Sequence, residues 1–221
     1  MDSYNPPTPR TTQGPFVICI GRQLGSGGRQ IGRALAQRFG IAYYDNEILT
    51  LAANHSGMSR DVFERTDEHK GFLRSVLGTF TPVMGHNDFY ANQMSAANLF
   101  NLQSAAIRRA AYEHSCVFIG RAADYVLRTH PRCISVFISA NRQDRIRRVM
   151  EGQKVGQHAA IRMIDAGDRQ RADFYNFYAM GTWGAADTYN LLVNSSTLGI
   201  EQTVDVVSDF AVRALGLQPL A

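Results

Sequence analysis

Residues 16–39 read FVICIGRQLGSGGRQIGRALAQRF. The first five residues form a short apolar, β-branched run ending at Gly21, which predicts a buried strand. Residues 21–28, GRQLGSGG, form a glycine-rich turn. Ile31, Leu35 and Phe39 follow at four-residue spacing, one apolar stripe of a helix, and Gly40 supplies the C-terminal stop. A strand, a glycine turn and a helix in that order make a cradle for phosphate. Glycines let backbone N–H groups approach an anion, and the helix N-terminus adds partial positive charge.

The familiar phosphate-loop pattern is G-x-x-x-x-G-K-[ST]. Set against it, Arg22 takes the place of the first glycine, Gly28 that of the lysine and Arg29 that of Ser/Thr. A turn whose glycines serve only packing would leave the same letters. The candidate donors are Gly25, Ser26, Gly27 and Gly28. Arg29, which follows the loop directly, is the first candidate for the missing cation and Arg22 the second.

Outward from this unit, strands and helices alternate. Residues 41–44 suggest a second strand, with a helix from Asn46. Residues 56–92 mix Gly, His, Asn and Asp with apolar clusters and read as an insertion. Helix is expected over 93–113 and strand over 116–119 (CVFI), ending at Gly120-Arg121. A helix over 122–128 follows, then a strand over 133–138 (CISVFI). Helices are expected over 141–151 and 158–178, a last strand over 190–193 (NLLV) and a closing helix over 200–215. Buried strands alternating with helices predict an α/β fold, a parallel sheet covered by helices on both faces. Ligands of such sheets bind at the carboxyl ends of the strands, where Gly21, Gly120, Ala140 and Asn194 fall. Residues 1–15, polar and proline-rich, read as a disordered tail, leaving one domain over 16–221.

The 221 residues carry a net charge of +4. Residues 141–171 hold eight Arg/Lys and four Asp/Glu, so this window accounts for the whole excess. One local basic patch suits a small polyphosphate as well as a nucleic-acid backbone. No apolar run approaches the ~18–20 residues of a spanning helix, no secretory core stands at the N-terminus, and a cytoplasmic protein is expected. Cys19, Cys116 and Cys133, an odd count in apolar runs, predict reduced core thiols, and the scattered histidines suggest no zinc site. Phe174, Tyr175, Phe177 and Tyr178 are expected in the core, with Trp183 beyond them. Nothing in the sequence indicates an oligomeric state.

Several segments, in one order, carry a resemblance: ICIGRQLGSGGRQIG, YYDNEIL, FIGRAADYVL, DAGDRQRADFYNFY and NLLVNSSTLGIEQTV. Together they resemble the cytidylate kinase-like family over roughly residues 16–215. The resemblance implies a P-loop nucleoside triphosphate hydrolase-like core with a monophosphate-binding insertion and a lid over about 150–173. It further implies phosphoryl transfer from ATP to a nucleoside monophosphate, with Mg2+, CMP being the favoured acceptor. Small-molecule nucleotides would be the partners. A nucleic-acid binder, suggested only by the basic pI, is the least favoured reading. A nucleotide-binding regulatory protein without turnover is the second reading.

The resemblance also distributes roles. Arg22 and residues 25–29 would hold ATP. Asp45 matches a segment beside the monophosphate site, although capping the helix from Asn46 is an equal alternative. Arg121 matches an arginine that contacts the monophosphate; the aspartates flanking it in the family are here Ile119 and Ala122, which leaves the metal ligands unassigned. Asp165, Asp168 and Arg171 match a D-x-x-D-x-x-R stretch of the lid, where Asp168, Arg169 and Arg171 would meet the substrate, Arg169 and Arg171 as phosphate clamps. Arg29, Arg121 and Arg171 would be the catalytic cations. Arg145 and Arg148, one turn apart, could add to them, and a solvated charged helix face would look the same.

Overall fold

A computed structural model describes residues 14–45 and 88–218, with side chains from Phe100 onward in the second stretch. The tail over 1–13, the helix expected from Asn46 and most of the 56–92 insertion lie outside the described residues.

In chain order the elements are β1 (Val17–Arg22), α1 (Gly28–Phe39), β2 (Ala42–Tyr44), α2 (Asp88–Glu113), β3 (Cys116–Ile119), α3 (Ala123–Val126), β4 (Cys133–Ser139), α4 (Arg142–Gln153), α5 (Gln157–Tyr178), β5 (Leu191–Asn194) and α6 (Ser195–Leu215). The strands form one parallel sheet in the order β2-β3-β1-β4-β5. Central β1 pairs with β3 (Ile20 opposite Ile119) and with β4 (Arg22 opposite Ile138).

Alternation along β1 sorts its side chains between two cores. Ile18 and Ile20 pack with Ile31 and Leu35 of α1 and with Val204, Val207 and Ala211 of α6. Val17 and Cys19 face the other way, onto Ile107, Ala110 and Ala111 of α2 and Val126 and Leu127. Both faces of the sheet are therefore dry, which is why its strands read as continuous apolar runs. Ile31 and Leu35 are fully buried, and each contributes roughly 1.5–3 kcal/mol by leaving water. Gly40 ends α1 in the left-handed conformation, and its N–H bonds to Gln37.

Four of the differences from the expected boundaries bear on the site or the core. β1 continues through Arg22, so this arginine is a strand residue on the α1 side of the sheet rather than a loop residue. The helix of β3's crossover begins at Asp88, inside the expected insertion. The helix after β3 is one short turn, Ala123–Val126. The closing helix begins at Ser195, not residue 200, and a kink at Gly199 separates its first turn from the apolar stripe that the sequence shows. The aromatic set of α5 also splits. Tyr175 is buried and Phe174 packs against the cluster around it, whereas Phe177 is 72% exposed, because the helix turns it away from the sheet. Trp183 packs edge-on against Phe137. The three cysteines are free; Cys19 and Cys116 are buried and Cys133 is half-buried.

Candidate active site

The glycine loop between β1 and α1 presents donors because its acceptors are taken from behind. Ser26 uses both its N–H and its hydroxyl on the Gln23 carbonyl. Arg145 Nε donates to the Leu24 carbonyl at 2.8 Å, Arg148 Nη1 to that of Gly25 at 3.3 Å, and Ser195 Oγ to that of Ser26 at 2.7 Å. Four successive carbonyls are thus satisfied by the protein itself. The Leu24 N–H donates to Asp168 Oδ1 at 2.7 Å, and Asp168 Oδ2 is paired with Arg145. Gln23 closes the outer edge, its N–H bonding to Ile138 and its side-chain oxygen accepting from Ala140 N–H. The amides of Gly25, Gly27, Gly28 and Arg29 donate to no acceptor among the described residues. Gly25 and Gly27 stand at φ 80° and 83°, which turns successive N–H groups toward one side in front of α1.

In front of those amides lies a cluster of guanidinium groups. Arg22, Arg29, Arg121 and Arg171 come from β1, the start of α1, the end of β3 and the middle of α5. They gather around Asp45 at the end of β2. Arg29 Nε lies 2.6 Å from Asp45 Oδ2, and Arg22 Nη2 lies 3.8 Å from Oδ1. Arg171 Nη1 stands 3.5 Å from Asp168 Oδ1 and makes no hydrogen bond there. Arg22 Nε and Arg171 Nη1 are both buried without a hydrogen-bond partner. Burial, and then repulsion from Arg171, pushes the Arg22 guanidinium down to about 9 despite Asp45. Burial likewise lowers Arg121, with Asp45 opposing, and Arg171, with Asp168 opposing. Buried N–H groups of cations without acceptors are costly. An anion placed among them would relieve both the missing hydrogen bonds and the mutual repulsion.

The backbone at Arg121 is strained. Gly120, Arg121 and Ala122 occupy the left-handed region in succession, at φ 69°, 62° and 50°. Non-glycine residues pay about 1–2 kcal/mol each in that conformation. Such outliers gather where a side chain must be aimed. Asp124 is the acid nearest Arg121 in sequence. It is half-buried and accepts from Tyr175 Oη at 2.5 Å, and desolvation raises its carboxyl above the ordinary range. Desolvation also raises the Tyr175 and Tyr189 hydroxyls.

Of the residues singled out by sequence, Arg22, Arg29, Asp45, Arg121 and Arg171 converge, together with the loop. Asp168 stands at the rim, both oxygens engaged on the loop and Arg145. Arg169 is exposed on α5, where its charge is felt by Asp165, and Asp165 itself pairs with Arg142 at 2.9 Å. Arg145 and Arg148 bind loop carbonyls rather than open space. Gln23 and Ser195 escaped sequence reading, because a polar side chain's hydrogen bond to a distant carbonyl leaves no pattern in the chain.

The model of the cytidylate kinase-like family matches residues 17–197. This chain belongs to that family. As a member it has the P-loop kinase fold, and the match takes in the loop, Asp45, the Arg121 turn and α5. Among solved structures, an uncharacterized protein from Eubacterium ventriosum is similar at 24% identity and a TM-score of 0.66, covering 89% of this chain and 98% of that one. A shikimate kinase from Bacteroides thetaiotaomicron is similar at 16% identity and a TM-score of 0.49, over 88% of this chain and 97% of that one. A gluconokinase from Sinorhizobium meliloti 1021 shows 12% identity and a TM-score of 0.49, over 93% and 96%. At 24% identity the likeness to the Eubacterium ventriosum protein is one of fold. No curated protein matches the chain. Kinase-like family membership supports phosphoryl transfer as the type of chemistry. No helix among the described residues is long and apolar enough to cross a membrane.

Proposed function

We propose that the protein transfers a phosphoryl group from ATP to a nucleoside monophosphate, with CMP the favoured acceptor through the family. The observation that carries this reading is the set of buried guanidinium groups with partnerless N–H donors beside an unsatisfied amide loop. Two anionic substrates need two sets of donors, and the site has two. The amides of Gly25, Gly27, Gly28 and Arg29, with Arg22 and Arg29, would hold the phosphates of ATP. Arg121 and Arg171 would hold the acceptor phosphate. Phosphoryl transfer demands positioning and charge neutralisation more than covalent chemistry. The arginines would draw the reacting oxygens together and spread the charge that develops on the transferred group. Ser26 is fully buried, and its role would be to shape the loop. Asp168 would act through Leu24, and exposed Arg169 would meet substrate only when the nucleotide extends along α5.

The donor set fits ATP better than it fits a resident metal. No group of three metal-ligating side chains exists among the described residues, and Arg29 stands where P-loops carry a hydroxyl. Asp45, the carboxylate within the cluster, is engaged by Arg29. Mg2+ when bound would neutralise phosphate charge and would rely on phosphate oxygens for much of its coordination.

A nucleotide-binding regulator without turnover is the second reading. It is favoured by Asp124, the acid nearest Arg121 in sequence, being tied to Tyr175. The test is a phosphotransfer screen of ATP and magnesium against each common nucleoside monophosphate, scored by diphosphate product. CMP should give the highest turnover. ATP binding with no product for any acceptor would establish the regulator instead.

A further inference from the structure

Positions 22 and 28 carry exchanged residues. The familiar loop has glycine at the first and lysine at the second; here the first is Arg22 and the second Gly28. The structure explains why the two change together. β1 runs through Arg22 and sets it on the α1 side of the sheet, directly against the start of that helix. A Cβ built on Gly28 would lie 2.6 Å from Arg22 Cβ and 3.0 Å from its Cγ. Two side chains cannot share that volume, so a side chain at one position requires glycine at the other. Beyond Gly28 the Arg22 side chain continues to Gly120, where a Cβ would overlap its Nη1. Gly28 and Gly120 thus leave a slot, and Arg22 fills it.

The two candidate cations of the loop differ in what they have left to offer. Arg29 is half exposed and holds Asp45 at 2.6 Å. Arg22 is 14% exposed at its side chain, its Nε has no partner, and Asp45 is 3.8 Å away. We infer that Arg22 is the phosphate-binding cation of this loop, the charge having moved from the helix start to the strand end, with Gly28 and Gly120 giving it passage. Arg29 then serves to hold Asp45. The inference rests on the donor half of the kinase reading and on none of its claims about the acceptor.

Four variants test it: Arg22→Gly, Arg22→Gln, Gly28→Lys and the double exchange Arg22→Gly/Gly28→Lys. Each is titrated calorimetrically with inorganic tripolyphosphate, which has no base to contribute, and with ATP, and each is melted to check the fold. Arg22→Gly and Arg22→Gln should weaken tripolyphosphate binding by roughly tenfold to a hundredfold, the range for a lost charge-assisted hydrogen bond. Gly28→Lys alone should lose affinity and melt lower, since both side chains compete for one volume. The double exchange should regain affinity to within a few-fold of the parent, because lysine then has the room that Arg22 vacates. A merely structural Arg22 would not be rescued by lysine at another position. Parent-like binding by Arg22→Gln, or a double exchange no tighter than Arg22→Gly, would overturn the inference, as would a parent that binds neither probe. Should Arg22→Gly fail to fold, Arg22→Gln, which keeps a polar side chain without the charge, decides by itself. A parent that binds tripolyphosphate through Arg22 yet phosphorylates no monophosphate would sink the transfer reading and leave this inference standing.

Discussion

Replacing Arg121 by glycine should stabilise the fold while damaging the site. Arg121 stands at φ 62°, and its side chain is a half-buried cation whose charge is disfavoured by desolvation. Relief of the left-handed backbone is worth about 1–2 kcal/mol. The extra freedom of glycine in the unfolded chain takes back ~0.4–1 kcal/mol. The balance is a gain of about 1 kcal/mol, with relief of the buried charge in the same direction, and a melting temperature higher by roughly 2–4 °C for a domain of this size. Most substitutions move stability the other way. Arg121→Ala is the control: it removes the same charge but retains the strain, so it should melt below Arg121→Gly by the same net difference of about 1 kcal/mol. Both should bind CMP roughly tenfold to a hundredfold more weakly, with ATP affinity little changed. Thermal melts paired with calorimetric titrations read both effects. If glycine melts no higher than alanine, the strain is not real. If both variants bind CMP as the parent does, Arg121 does not serve the acceptor.

Arg171→Ala should likewise weaken CMP far more than ATP in calorimetric titration; equal losses for the two ligands would refute the separation of sites. Asp168→Ala strips Arg145, itself 5% exposed, of its carboxylate and Leu24 of its acceptor, so stability should fall by about 3–5 kcal/mol, and a loss under ~1 kcal/mol in denaturant titration would show that the clamp is idle. Asp124 has a raised folded pKa, so its contribution is fully present below the unfolded value of 3.8 and is lost as pH rises through the folded one. Asp124→Asn should therefore flatten the stability–pH curve above pH 3.8, and an unchanged slope in acid titrations would count against the buried carboxyl.

The sheet was legible because each of its strands is buried on both faces, which writes runs such as FVICI and CISVFI into the chain. The loop was legible because glycine is its own signal. Helix starts were harder: α6 opens with Ser195 and Ser196, polar residues that look like a turn until Asn194 is seen accepting from the Ser196 N–H. The convergence of Arg22, Asp45 and Arg121 could be expected from strand ends alone, since all parallel strands deliver their carboxyl ends to one edge, and Arg29 follows its strand through the loop, whereas Arg171 comes from the middle of a helix. The support of the loop could not. Arg145 and Asp168 reach Leu24 across 121 and 144 residues of sequence, and nothing local announces which carbonyl a distant guanidinium will meet.

That support changes what the basic patch means. Counted along the chain, residues 141–171 hold the entire net charge, and such a surplus invites a polyanion. In the fold much of it is already engaged. Arg142 and Arg147 pair with Asp165 and Asp144, while Arg145 and Arg148 hold loop carbonyls. Arg171 is the member of the window that joins the cluster around Asp45, and its other members come from three further elements. The cations that lack acceptors are recessed, with side chains 14% exposed at Arg22 and 22% at Arg171. A nucleic-acid backbone needs an open track of such groups, whereas a compact phosphate can enter a recess and meet several at once. The same positive charge that made a polymer conceivable from composition supports, once placed in three dimensions, the proposed mononucleotide reading. Its binding should therefore depend on a few buried contacts and weaken only modestly with added salt, since buried charges are screened far less than exposed ones.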